Sequence, residues 1–154
     1  MARTIQRALV IACGGAALGL VANLALPHRI PFIAEPKVTR QPADFIALED
    51  AKQLWQGGAT FFLDARDPAD YAAGHIAGAF NLPAEEFDAQ YPQIATMLTP
   101  DTTIVTYCDG VQCDLSHNLT DRLRQLHYQN VRILQNGWTV WHQAGLAATT
   151  GNRP

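Results

Sequence analysis

Two hydrophobic patterns divide the chain. From Ala8 to Pro27 it reads ALVIACGGAALGLVANLALP, twenty residues without a charge. At about 1.5 Å per residue a helix of that length reaches roughly 30 Å, the apolar thickness of a bilayer. Beyond residue 43 the pattern changes to short apolar runs separated by stretches of helical periodicity. Thr60–Ala65 and Thr103–Tyr107 are continuous apolar or β-branched runs, as expected of strands buried on both faces. Val131–Leu134 reads as a further strand, Ala79–Leu82 as a short one before Pro83, and Asp44–Ala47 as a short extended piece. A helical pattern runs from Leu48 to Gln56 and stops at Gly57-Gly58. Asp67-Pro68 opens a short helix, with Asp as N-cap and Pro in the first turn, and Gly74 closes it. Ala84–Met97 and Gly137–Ala144 read as helices, and Leu115, Leu119, Leu123 and Leu126 recur down one face of another. Strands alternating with helices predict an α/β domain, a parallel sheet covered on both faces.

The chain of 154 residues suits one such domain with an extension before it. Pro27, Pro31, Pro36 and Pro42 make residues 28–43 an extended linker, because proline fixes φ and removes a backbone donor. The organisation expected is a short basic N-terminus (1–7), one transmembrane helix (8–27), a linker (28–43) and a folded domain (44–154). A cleaved signal peptide competes for the apolar run, but its apolar stretch is shorter and needs a small-x-small site. Leu24-Ala25-Leu26-Pro27 is a poor one, so an uncleaved membrane anchor in the lipid bilayer is the expectation. Arg3 and Arg7 precede the run and Arg29, Lys37 and Arg40 follow it, nearly a tie for orientation. The short basic start favours a domain on the non-cytoplasmic, periplasmic side. Apolar residues make up 48% of the chain, enough to exclude a disordered tail. A net charge of −3 gives no basic footprint for nucleic acid. Three cysteines, Cys13, Cys108 and Cys113, are too few for a disulfide framework.

Candidate chemistry gathers where the clearest strand meets the leucine-striped helix, at Tyr107-Cys108-Asp109-Gly110-Val111-Gln112-Cys113-Asp114-Leu115-Ser116. A cysteine directly after a buried parallel strand stands at the carboxyl edge of the sheet, where α/β proteins place ligands. The loop feeds a helix N-terminus, whose unpaired N–H groups and dipole favour an anion such as a thiolate or a persulfide. Gly110 lets the backbone curl. Cys108-x4-Cys113-x3-His117 is atypical for a metal site and offers no fourth ligand, so no metal is expected. Cys113 reads equally as a resolving thiol and as packing. His75 reads as shaping the Gly74–Gly78 turn, and Trp138 and Trp141 as core.

Asp64-Ala65-Arg66-Asp67-Pro68-Ala69-Asp70-Tyr71, followed by Ala73-Gly74-His75-Ile76-Ala77-Gly78-Ala79-Phe80-Asn81-Leu82-Pro83, resembles the signature segment of rhodanese-like domains. The Tyr107-Cys108 loop and the Asn136-Gly137-Trp138 ending are similar to that family too, so the resemblance spans roughly Phe45 to Leu146. It implies a three-layer α/β/α fold with a five-stranded parallel sheet. It also implies a catalytic cysteine that carries sulfur as a persulfide, by position Cys108, with Asp64 and Arg66 supporting the loops nearby.

The loop departs from the family where charge is concerned. Many sulfur-transferring members place an Arg or Lys there to hold an anionic donor. This loop has Asp109 and Asp114 instead, and Cys113 where an Arg often stands. Thiosulfate is therefore expected to be a poor substrate. The related dual-specificity phosphatases need an Arg six residues after the cysteine, and Asp114 occupies that position. The function expected is a membrane-anchored sulfurtransferase. Cys108 takes sulfane sulfur from a small donor and passes it to a thiol or other nucleophile, the amides of Asp109, Gly110, Val111, Gln112, Cys113 and Asp114 cradle the outer sulfur, and no cofactor is required. Two alternatives stay open: a non-catalytic binding module at the membrane, and a thiol-redox protein using a Cys108–Cys113 disulfide.

Overall fold

A computed structural model describes residues 44–110 and 113–154. In chain order it contains α1 (Leu48–Gly57), β1 (Thr60–Asp64), α2 (Pro68–Ala73), β2 (His75–Ile76) and β3 (Phe80–Asn81). A 3-10 turn (Ala84–Glu86) leads into α3 (Phe87–Ala95), then come β4 (Thr103–Tyr107), α4 (Leu115–Gln125), β5 (Val131–Leu134), α5 (Gly137–Gln143) and β6 (Ala148–Thr149). Strands β3-β1-β4-β5 form a parallel sheet in that order, with β4 pairing along its whole length with β1 and centrally placed.

Alternation along the strands sends successive side chains to opposite faces. Leu63, Ile104 and Val131 join Phe87, Ile94, Leu119 and Leu123 on the face covered by α3 and α4. Phe62, Val105, Tyr107 and Leu134 join Ala51 and Trp141 on the face covered by α1 and α5. These are the three layers expected. Leu119 and Leu123 are both fully buried, and burial of each side chain contributes roughly 1.5–3 kcal/mol. Leu126, the last of the leucine stripe, lies just past the end of α4 and is 44% exposed.

Three expectations need correction. The main sheet has four strands among the described residues rather than five. Phe45 makes only a single parallel bridge to Ile133, fixed by the Ile46 N–H donating to the Ile133 carbonyl at 3.0 Å. The expected helix at Ala84–Met97 is a 3-10 turn followed by a shorter α-helix that carries Pro92 inside it. Gly74 does end α2, but its φ of 170° is extended, so no left-handed cap calls for glycine. Its requirement is spatial: a Cβ there would lie 2.9 Å from the Trp138 ring.

The Gly74–Gly78 segment also holds a feature absent from the sequence reading. Residues His75 and Ile76 pair antiparallel with Thr149 and Ala148. His75 is wholly buried and stacks on Tyr71 with ring centroids 3.7 Å apart. Its Nδ1 lies 2.9 Å from the Tyr71 carbonyl, to which it donates. The apolar run 8–27, the basic N-terminus and the linker lie outside the described residues. Among the described residues no helix is long and apolar enough to cross a membrane.

Candidate active site

Cys108 follows the last residue of β4 and is 1% exposed, at the carboxyl edge of the sheet, as expected. Its backbone is held from two sides. The Ala65 N–H donates to the Tyr107 carbonyl at 2.9 Å, and the Trp138 N–H, in the first turn of α5, donates to the Cys108 carbonyl at 3.1 Å. Gly137 permits that approach: a Cβ on it would stand 2.5 Å from the Cβ of Tyr107. The cysteine side chain projects toward the α4 layer, where it joins the cluster of Leu63, Ile104 and Leu119.

Ser116, in the first turn of α4, brings its hydroxyl to 3.2 Å from the Cys108 sulfur. A hydroxyl there can donate to the sulfur and stabilise negative charge on it, and the helix N-terminus adds a dipole of the same sense. Sequence reasoning placed Ser116 at the end of the candidate segment but gave it no role at the site. Its signal was present in the face 116, 119, 120 and 123 of α4, which is buried along its length yet carries two hydroxyls. The second, Thr120, meets Thr106 of β4 at 2.7 Å. That bond satisfies both buried side chains and fixes α4 against the strand that carries Cys108.

The structure closes a disulfide between Cys108 and Cys113, with Cα atoms 6.4 Å apart. That separation lies inside the range a disulfide can span. The geometric condition for the thiol-redox alternative is thus met. Gly110 turns the loop with φ +86°. Its N–H donates to Oδ1 of Asn136 at 2.8 Å and to Oδ1 of its neighbour Asp109 at 3.0 Å. This amide is occupied by Asn136 and Asp109, in place of the sulfur cradle expected of it. Asp109 is exposed and also accepts a bond from the Thr139 hydroxyl of α5. Asp114 is exposed at the N-cap position of α4, without a side-chain capping bond. Val111 and Gln112 lie outside the described residues. Asn136 adopts a left-handed conformation (φ 51°), which its side chain tolerates better than most. Asn136 and Thr139 act on the loop from the far side of the sheet's edge and were not among the expected site residues.

Asp64 and Arg66, expected to support the loops near the cysteine, pair with each other. Asp64, at the end of β1, is fully buried, and Nη2 of Arg66 donates to its Oδ2 at 2.6 Å and to the Gly74 carbonyl at 2.7 Å. The Arg66 guanidinium lies 4.9 Å from the Trp138 ring centroid. Burial works against the charge on Arg66, but the hydrogen bond and attraction from Asp64 outweigh it and raise its pKa. Asn81 donates to the Asp64 and Arg66 carbonyls at 3.1 and 2.8 Å. One ion pair therefore ties the loops after β1 and α2 to α5, whose first turn in turn holds Cys108. Among the described residues no group of three or more His, Cys, Asp or Glu side chains is placed to hold a metal ion.

Residues 47–144 match the model of the rhodanese-like domain. An HTH-type transcriptional regulator of Mycobacterium tuberculosis is 30% identical over 77% of this chain and 50% of its own length. The thiosulfate sulfurtransferase GlpE of Tolumonas auensis is 26% identical over 62% of this chain and 85% of its own. The chain spans 50% and 58% of the first two curated relatives it matches, so those proteins contain more than the shared part. Among solved structures, thiosulfate sulfurtransferase from Pseudomonas aeruginosa superposes with a TM-score of 0.56 at 27% identity, covering 67% of this chain and 19% of that one. A human single-domain sulfurtransferase gives 0.55 at 21% identity, covering 65% and 96%, and supports the fold alone. With the signature segment folded around the Asp64–Arg66 pair and a cysteine at the mouth of the central strand, the chain belongs to the rhodanese-like family.

Proposed function

We propose that this protein is a sulfurtransferase that carries sulfane sulfur as a persulfide on Cys108. The observation that carries the reading is the position of the Cys108 sulfur, at the end of β4 and 3.2 Å from the Ser116 hydroxyl at the N-terminus of α4. In the reduced chain, the Cys108 thiolate attacks the outer sulfur of a donor persulfide and displaces the donor's thiolate. The acceptor thiolate then attacks the outer sulfur held on Cys108 and regenerates the free cysteine. Asp109 and Asp114 at the exposed rim repel dianions, which favours thiol-borne sulfur over thiosulfate as the donor. The names of two sulfurtransferases among the similar proteins support the reaction class.

Incubating the reduced full chain with glutathione persulfide tests the reading. Cys108 is expected to gain sulfur or to appear as a product of sulfur transfer, and the Cys108→Ser chain to gain nothing. Equal loading of the two chains would overturn it. The Cys108–Cys113 disulfide favours a second reading, thiol–disulfide exchange without sulfur transfer. Under it, a dithiol opens the pair and no sulfur-loaded species forms in any variant. The charge-free run 8–27 supports a further part of the proposal, a domain tethered to a bilayer. Full-length chain is expected to stay with membranes through a carbonate wash, and release of an intact chain would refute the tether.

A further inference from the structure

We propose that Cys113 is a resolving thiol that discharges the Cys108 persulfide within the same chain. The domain would then reduce sulfane sulfur to sulfide, with an external dithiol as the electron source. This rests on the persulfide reading of Cys108 and names how the sulfur leaves.

Three observations carry it. The two sulfurs are joined in the structure with the Cα atoms 6.4 Å apart, so Cys113 stands within reach of the inner sulfur of a Cys108 persulfide. Cys113 is half-buried and packs on the cluster that includes Cys108, so the attacking thiol is held beside its target. Effective concentrations inside a short loop greatly exceed those of a free thiol in solution. The flanking charge is acidic, with Asp109 and Asp114 exposed and no Lys or Arg between residues 108 and 114. Such a rim does not retain an anion and aids the departure of hydrosulfide.

The step balances. The Cys113 thiolate attacks Sγ of Cys108 in Cys108–S–SH. The bond between that sulfur and the outer sulfur breaks, the bond between the two cysteine sulfurs forms, and the outer sulfur leaves with its proton as HS⁻. The outer sulfur gains two electrons, and the cysteine pair loses two in becoming a disulfide. A dithiol then reduces the disulfide through a mixed disulfide and is itself oxidised to a disulfide, which restores both cysteines. The state seen in the structure is the one that follows sulfide release.

A single turnover tests this on the full chain carrying Cys13→Ser, so that the two loop cysteines are the only thiols. The chain is reduced, desalted under argon and mixed with one equivalent of glutathione persulfide. Sulfide is trapped with monobromobimane, and the loop peptide is weighed. The parent chain is expected to release close to one sulfide per chain and to end as the internal disulfide, two hydrogens lighter than the dithiol. Cys113→Ser and Cys113→Ala are both expected to stay one sulfur heavier, with a persulfide lifetime extended by about tenfold or more, and to release sulfide on addition of dithiothreitol. If the parent chain keeps its persulfide as long as these variants do, or if the variants release sulfide as fast as the parent, Cys113 is not the resolving thiol and the carrier reading stands. If neither the parent nor either variant gains sulfur or yields sulfide, the carrier reading fails as well.

Discussion

Replacing Gly137 with alanine puts one methyl group where α5 meets the end of β4. The new Cβ would stand 2.5 Å from the Cβ of Tyr107 and 3.2 and 3.3 Å from two carbons of Leu134. Carbon atoms prefer about 3.5–4.0 Å, so the first contact must open by more than about 1 Å. Neither side can yield cheaply. The Cβ of Tyr107 is fixed by a strand paired on both sides, and α5 is pinned by the buried Trp141. Overpacking of this kind costs about 1–3 kcal/mol, and the rigidity of both partners puts it near the top of that range. Alanine gains at most about 1 kcal/mol over glycine in a helix, and less in the first turn. The net expectation is a loss of about 2 kcal/mol. For a domain near 100 residues this corresponds to a fall in Tm of roughly 8–16 °C. Thermal unfolding followed by tryptophan fluorescence measures it. Gly57→Ala serves as the control, because a Cβ there meets nothing within 4 Å and φ is not left-handed; it is expected to be neutral or mildly stabilising. The same displacement lengthens the Trp138-to-Cys108 backbone bond, so iodoacetamide should label Cys108 of the reduced variant faster. A Gly137→Ala chain as stable as the parent would show that the α5–β4 contact relaxes freely and would refute the account of how Cys108 is held.

Three further outcomes are expected. Asp64→Ala leaves the buried Arg66 charge without its partner and should cost about 3–5 kcal/mol, while Asp64→Leu combined with Arg66→Met should recover most of that; equal Tm loss in the two chains would contradict it. Ser116→Ala removes the hydroxyl beside the Cys108 sulfur, and iodoacetamide alkylation of the reduced chain at neutral pH should slow by roughly tenfold, the effect of a hydrogen bond to a charged group; an unchanged rate would remove Ser116 from the site. Burial, with Asp64 second, pushes Tyr71 up to about 12, and burial, with Tyr91 second, pushes Tyr128 up to about 12. The folded state thus favours the neutral phenols, so this stabilisation is whole below about pH 10 and is lost as pH rises through about 12. Urea midpoints should fall across that window and less so in Tyr128→Phe; a flat profile would refute it.

The sequence announced those elements whose pattern and packing agree. Thr103–Tyr107 is β-branched and apolar throughout, and the strand has those bounds. The same pattern identified Cys108, because a cysteine at the end of the most buried strand has one place to be. Other features depend on contacts distant in sequence. Gly74 reads as a helix stop, and its actual constraint is an indole contributed by residue 138. Gly110 reads as a loop hinge, but the partner of its amide, Asn136, arrives from beyond β5. The pairing of His75 and Ile76 with residues near the end of the domain leaves no periodic mark, because two residues are too few to show alternation. Phe45 is apolar enough for a strand, yet it contributes one bridge, since the chain turns into α1 three residues later.

The union of β2 with β6 bears on the order in which the domain is completed. During synthesis the four strands of the main sheet and helices α1 to α5 have all been made before Ala148 and Thr149 emerge. His75 and Ile76 therefore wait, with their outer backbone edge open, until Ala148 and Thr149 arrive to close it. Gly151 then fastens the tail by donating its N–H to the Ala72 carbonyl at 2.8 Å. Contacts between distant parts of the chain carry the largest loop-closure cost and tend to form late. Residues 148–151 thus act as a latch across the signature segment, and a nascent chain stalled before residue 148 would present that segment with an unpaired edge to chaperones and proteases.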